Sequence, residues 1–174
     1  VMQGLLNRKV KFRESFRPFA PAILREHVAE FFEMRPNEDS PYMLLVAPVK
    51  EDKRLAVDEA ATGLEKLHQK RSVVPAITHV DCSARVQTVD RERHSRFAGI
   101  LEAFKDKTGC PMLINTSFNV RGEPIVNTPE DAYRCFMGTN MDVLVIDNFV
   151  LKKAEQPNAR VIDRDAYLRQ FALD

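Results

Sequence analysis

Short apolar runs of strand length alternate along this chain with longer amphipathic stretches, and that alternation predicts an α/β or α+β domain. Two neighbourhoods carry the prediction. "SRFAGILEAFKDKTG" (95–109) spaces Phe97, Ile100, Leu101 and Phe104 as one helical stripe, then meets Gly109 and Pro111, which stop it ahead of the apolar "MLI". "TPEDAYRCFMG" (128–138) starts a helix with Thr128 as cap, Pro129 in the first turn and Glu130 and Asp131 at the positive helix end, before two strand-like runs, 142–147 and 149–153.

The remaining elements follow in order. "KVKFR" (9–13) alternates Lys9, Lys11 and Arg13 with Val10 and Phe12, as one face of a strand would. "AILREHVAEFFE" (22–33) sets Ile23, Leu24, Val28, Phe31 and Phe32 at helical spacing, and "YMLLVAPV" (42–49) reads as a buried strand closed by Pro48. Residues 57–70 are compatible with a helix, although Gly63 weakens it. Residues 77–90 read as two extended pieces around a turn at Asp81–Ser83, with Arg85 and Gln87 on one face and Ala84, Val86 and Thr88 on the other. A polar tail from Ala154 passes Pro157 into a last helix, 163–174, capped by Asp163.

With 174 residues, 44% hydrophobic and 29% charged, the chain can bury one core without a metal or disulfide staple. A net charge of +1 gives no global argument for nucleic acid or an anionic membrane. Cys82, Cys110 and Cys135 are far apart in sequence, which suits a reducing cytoplasm, and the four histidines make no zinc pattern. No apolar run approaches twenty residues, so a soluble protein with no membrane partner is expected. Val1 in place of Met points to a piece of a longer protein, or to a processed or trimmed terminus.

Three clusters could carry chemistry. Residues 8–17 hold Arg8, Lys9, Lys11, Arg13 and Arg17 against Glu14 alone, a local charge of +4 followed by the stiff "RPFAP". Arginine forks and a lysine point charge there suit phosphate or carboxylate; a solvated basic edge guarding a strand fits as well. Arg85 stands next to a turn rich in Thr78, His79, Asp81 and Ser83. Asn115, Thr116, Ser117 and Asn119 end the apolar run "MLI", where neutral donors and acceptors could read a small amide or a phosphate edge; ordinary turn chemistry also explains them. Dinucleotide and Walker phosphate loops and a GxSxG elbow are absent.

Together, "LNRKVKFRESFRPFAPAIL" (6–24), "SPYM" (40–43), "PAITHVDCSARVQTV" (75–89) and "TGCPMLINTSFNVRGEPIVNTPEDAYRCF" (108–136) resemble the C-terminal domain of the O-carbamoyltransferases, the enzymes that carbamoylate nodulation factors, aminoglycosides, cephems and novobiocin-type antibiotics. The resemblance implies a domain over 1–153 with a tail at 154–174, and a YrdC/Sua5-like twisted open α/β sheet with flanking helices. It implies that carbamoyl phosphate and ATP, with Mg2+, are turned into carbamoyl-adenylate. A covalently preceding N-terminal Kae1-like domain, holding a metal ion, would pass the carbamoyl group to an acceptor hydroxyl compound. Lys11, Arg13 and Arg17 fall on "KxRExFRPFAP" and would hold phosphates. Arg85 in "THVDxxAR" would grip carbamoyl phosphate, and Asn115, Thr116, Ser117 and Asn119 match "NTSFN". Lys11 and Arg85 are the expected catalytic pair, with no metal-ligating side chain expected in this chain. Cys82 stands where the resemblance implies glycine, which puts the tightness of that turn in question.

The competing reading is a nucleotide- or RNA-binding YrdC-like module without chemistry of its own. Near-neutral charge and aromatic residues at core-like spacings lean against RNA. A third reading is a structural domain that docks to its N-terminal partner.

Overall fold

The computed structural model describes residues 2–157 and 163–171 and resolves two compact units, Pro18–Thr116 and Val1–Arg17 with Ser117–Asp174. Elements in chain order are α1 (Met2–Leu6), β1 (Ala20–Leu24), α2 (Val28–Phe31), β2 (Leu45–Pro48), α3 (Gly63–His68), β3 (Ser83–Val89), α4 (Ser95–Thr108), β4 (Met112–Asn115), α5 (Pro129–Gly138), β5 (Val143–Ile146), β6 (Phe149–Lys152) and α6 (Arg164–Arg169). The fold is mixed α/β, as the alternation predicts.

The unit Pro18–Thr116 is built on a four-stranded mixed sheet in the order β2-β3-β1-β4. β1 runs parallel to β3 (Ala22↔Gln87) and antiparallel to β4 (Ala22↔Leu113), and β2 is an antiparallel edge (Val46↔Arg85). Paired residues share a face, as do residues two apart along a strand. Ala22, Leu24, Val89 and Leu113 therefore lie on one face, and α4 covers them with Phe97, Ala98 and Leu101. Burying Leu101 completely stabilises this layer by roughly 1.5–3 kcal/mol. Gly109 ends α4 in the left-handed region, φ 75°, with its N–H donating to the Lys105 carbonyl.

Several expectations need correction here. The stretch 22–33 is not one helix. All five residues of β1 are buried, and the chain then makes a short 3-10 turn and a single turn of α-helix. A strand covered on both faces is apolar at consecutive positions, so Ile23 and Leu24 followed by Val28 imitate a helical stripe. Pro21 fits because the parallel ladder to β3 begins only at Ala22. The run 42–49 contains a strand, but an edge one: Leu44 and Val46 are exposed and only Ala47 and Val49 point inward. Ile100, placed in the α4 stripe, is exposed, and Ala98 takes its place. The helix expected over 57–70 is confined to α3, and residues 77–80 form no strand. The turn after them does close. The Asp81 carboxylate accepts from Ser83 N (3.0 Å) and Ser83 Oγ (2.6 Å), with Cys82 at φ 62°.

In the other unit, α1 continues into a π turn, Asn7–Lys11, and Phe12 at φ 49° ends it. The strand expected at 9–13 is thus absent, its first three residues lying in the π turn, and Lys9, Lys11 and Arg13 do not share a strand face. α5 has the predicted cap: Thr128 Oγ1 accepts from Asp131 N (3.1 Å) and the Asp131 carboxylate accepts from Thr128 N (3.2 Å). It packs Ala132, Phe136 and Met137 under Leu144 of the β5–β6 hairpin. Asp163 caps α6 by accepting from Ala166 N at 3.0 Å; residues 172–174 of that expected helix lie outside the described residues.

Candidate functional site

Asn7 organises the basic segment, and sequence reasoning did not single it out. It is completely buried. Its Nδ2 donates to the Arg17 carbonyl (2.8 Å) and the Ser15 carbonyl (3.3 Å), while its Oδ1 accepts from Arg13 Nε (2.7 Å). One neutral amide thereby folds residues 7–17 back on themselves and orients Arg13. The only advance signal was its place at the head of the basic run.

Lys11 is buried, with 4% of its surface exposed, rather than presented as a mobile charge. Its Nζ donates to Asn119 Oδ1 (2.8 Å), the Asn119 carbonyl (3.0 Å), Ser117 Oγ (3.2 Å) and the Ser117 carbonyl. Ser117 Oγ also donates to Asn119 Oδ1 at 2.7 Å. Three predicted residues, Lys11, Ser117 and Asn119, thus form one cradle. Burial first, and then the nearby Arg13 guanidinium, lower the Lys11 ammonium from its ordinary 10.5 to about 8. Burial and the Arg17 guanidinium likewise lower Arg13. Arg13 therefore stands between two cations, Lys11 and Arg17, with Glu14 offsetting part of the repulsion, an arrangement that a bound anion would relieve further.

Behind the cradle, the Glu123 carboxylate accepts from Val120 N (2.8 Å) and from the Tyr167 hydroxyl, and its carbonyl accepts from Asn119 Nδ2 (2.7 Å). Cys135 is buried beside Tyr167, and burial pushes its thiol up to about 12, so it is a neutral packing group and no nucleophile at ordinary pH.

In the sheet unit, Arg85, Gln87 and Asn115 continue the face that α4 covers farther along. Ala84, Val86 and Thr88 are buried on the opposite face, as the alternation predicts, and the Arg85 side chain is exposed. Asn115 Nδ2 donates to Gln87 Oε1 above the small residues of β1, and Gln87 Nε2 donates to the Pro41 carbonyl at 3.0 Å. Gln87 therefore joins Arg85 and Asn115 as a polar group of that face. Thr116 is exposed. Thr78, expected beside Arg85, is buried, its hydroxyl engaged with Ser72 Oγ (2.7 Å) and the Val74 carbonyl (3.0 Å).

Among the described residues no group of three or more His, Cys, Asp and Glu is placed to hold a metal ion, and no helix is long and apolar enough to cross a membrane.

Comparison with known proteins gives the family. The family model described as "Carbamoyltransferase C-terminus" matches residues 1–153. An uncharacterized protein of Synechocystis sp., sll1178, is 57% identical over 99% of this chain and 28% of its own length. Nodulation protein NolNO of Sinorhizobium fredii is 40% identical over 85% of this chain and 19% of its own length. Nodulation protein NolO of Bradyrhizobium diazoefficiens is also 40% identical over 85% of this chain, and 24% of its own length is covered. The chain thus spans less than a third of each of these relatives, and by its motifs and its match it belongs to the carbamoyltransferase C-terminus family.

Proposed function

We propose that this chain is the part of a carbamoyltransferase that binds carbamoyl phosphate and ATP and forms carbamoyl-adenylate. Carbamoyl phosphate gives its phosphate to water and leaves carbamate. A carbamate oxygen then attacks the α-phosphorus of ATP, the α–β phosphoanhydride bond breaks, and pyrophosphate departs. An N-terminal Kae1-like segment of the full-length protein, with its own metal ion, would pass the carbamoyl group to an acceptor hydroxyl. The observation that carries the reading is the cradle in which the buried Lys11 ammonium is held by Asn119 and the exposed Ser117, beside Arg13 and Arg17.

The chemistry of the groups fits the ligands. A carbamoyl group is small, planar and neutral, with an acceptor oxygen and an NH2 donor, and the amides and hydroxyls of Asn115 and Thr116 in the sheet unit, like those of Ser117 and Asn119 in the other unit, are of the type that matches it without the cost of an unpaired buried charge. Lys11, Arg13 and Arg17 would hold phosphates, and Arg85 would grip carbamoyl phosphate with its planar fork. Catalysis then rests on positioning and on neutralising charge at the pentavalent phosphorus and the leaving pyrophosphate. Mg2+ would arrive on the ATP phosphates, where it supplies further neutralisation.

Calorimetric titration with carbamoyl phosphate and with Mg2+–ATP tests the assignment. Saturable binding of both, weakened at least tenfold in Lys11→Met and in Arg85→Ala, is expected. Carbamoyl-phosphate affinity unchanged in both variants would overturn the site.

A further inference from the structure

The family match ends at residue 153, yet α6, beyond it, is packed onto the cradle's supporting loop. Two glycines make that contact close. A Cβ at Gly138 would lie 2.4 Å from the Tyr167 ring, and one at Gly122 would lie 2.3 Å from the Phe171 carbonyl oxygen. Gly122 also has φ 81°, which disfavours any side chain there. Tyr167 thus lies against the backbone of α5, buried with Val120 and Cys135.

From that seat hydrogen bonds on either side of Glu123, joined through its own side chain and main chain, lead to Lys11. The Tyr167 hydroxyl donates to Glu123 Oε1, and Glu123 Oε2 accepts from Val120 N at 2.8 Å. The Glu123 carbonyl accepts from Asn119 Nδ2 at 2.7 Å, which leaves Asn119 Oδ1 turned towards Lys11 Nζ and Ser117 Oγ. Each link is directional. Rotating the Asn119 amide by half a turn would aim NH2 at an ammonium and oxygen at a carbonyl, both repulsive. The Tyr167 hydroxyl, held neutral by burial and by Glu123, can serve that carboxylate only as a donor.

We propose that α6 is a positioning element of the anion site, and that Tyr167, acting through Glu123 and Asn119, fixes the place of the Lys11 charge and of Ser117 beside the ligand. The proposal rests on the carbamoyl-phosphate reading for the identity of the ligand but not for the positioning itself. It gives a segment outside the family match a role in the chemistry of the family motif. Tyr167 touches no substrate in this account; it is a positioning residue.

Tyr167→Phe keeps the ring against Gly138 and deletes only the hydroxyl. In the full-length protein the expected result is a carbamoyl-phosphate affinity weakened about tenfold, with the melting temperature moved by a few degrees at most. In a double-mutant cycle with Asn119→Ala, the two losses should not add, because both cut one path. The Lys11 ammonium, followed by NMR titration, should rise from about 8 towards 10.5 as the loosened loop admits water. Glu123→Gln replaces one acceptor oxygen of the carboxylate by an NH2, which cannot accept from Val120 N or from Tyr167, so it loosens the turn that presents the Glu123 carbonyl to Asn119 and should reproduce these changes, which keeps the test alive if Tyr167→Phe does not fold. Wild-type affinity in both variants, or additive losses with the Lys11 titration unmoved, would overturn the proposal. Absence of carbamoyl-phosphate binding in the wild type would overturn the functional reading instead, and the Lys11 titration would still decide whether Tyr167 positions the cradle.

Discussion

Lys11 Nζ donates to Asn119 Oδ1 at 2.8 Å across 108 residues of sequence, and that bond ties the basic segment to the polar loop. Both were visible as separate motifs; the bond makes them one object. Its first consequence concerns stability. Lys11→Met removes the donor from two carbonyls, an amide oxygen and the Ser117 hydroxyl oxygen. Leaving a buried acceptor without a donor costs about 1–3 kcal/mol, and these acceptors are only part-buried, so a loss of about 1 kcal/mol is expected. A lower urea midpoint with an unchanged denaturant slope is expected, in addition to lost ligand binding. An unchanged midpoint would mean that water replaces the ammonium without cost.

The depressed Lys11 value gives a pH dependence whose sign is fixed. A bound phosphate favours the ammonium and raises its pKa from about 8. Binding near pH 8 should therefore take up part of a proton, seen as a binding heat that varies with buffer ionisation enthalpy, and affinity should fall as pH rises above that value. For folding the direction is opposite. Between about 8 and 10.5 the unfolded chain binds a proton that the folded chain lacks, so this group makes stability rise with pH across that window. Buffer-independent heats at pH 8 would contradict the first claim.

Arg85 provides the contrast to Lys11. Its side chain is exposed at the polar end of a sheet face, so Arg85→Ala should leave stability within about 0.5 kcal/mol. Carbamoyl-phosphate affinity should nonetheless drop at least tenfold. Thermal melts and titrations on one preparation separate the two effects, and a parallel loss of both would make Arg85 a structural residue.

The legible and illegible parts of the sequence divide along a physical line. Local signals were legible: the Thr128–Asp131 cap, Gly109 at the end of α4, Asp163 ahead of α6, and the two-sided pattern of β3. Signals that depend on what covers a segment were not. β1 looked helical because both of its faces are buried, and β2 looked buried because an edge strand can carry the same apolar residues. In the basic run, alternation at 9–13 implied a strand, whereas Asn7, bonded to Arg13 and to two carbonyls, winds it into a turn. The members of the cradle were legible as types of residue. Their arrangement was not, since the Glu123–Tyr167 link joins positions 44 residues apart.

Cys82 offers a stabilising substitution. It occupies φ 62°, where a side chain costs roughly 1–2 kcal/mol, and glycine would remove that cost while adding about 0.4–1 kcal/mol of unfolded-state entropy. Cys82→Gly should therefore stabilise the protein by about 0.5–1 kcal/mol, measured by urea unfolding. Destabilisation would mean that the thiol makes a contact worth more than the strain.

The central claim, that carbamoyl-adenylate forms on this domain, is tested most directly by isotope exchange between pyrophosphate and ATP, catalysed by the full-length protein with Mg2+. The account predicts exchange that requires carbamoyl phosphate and is abolished by Lys11→Met and by Arg85→Ala. Exchange that persists in both variants, or no exchange in a protein that binds both ligands, would contradict it.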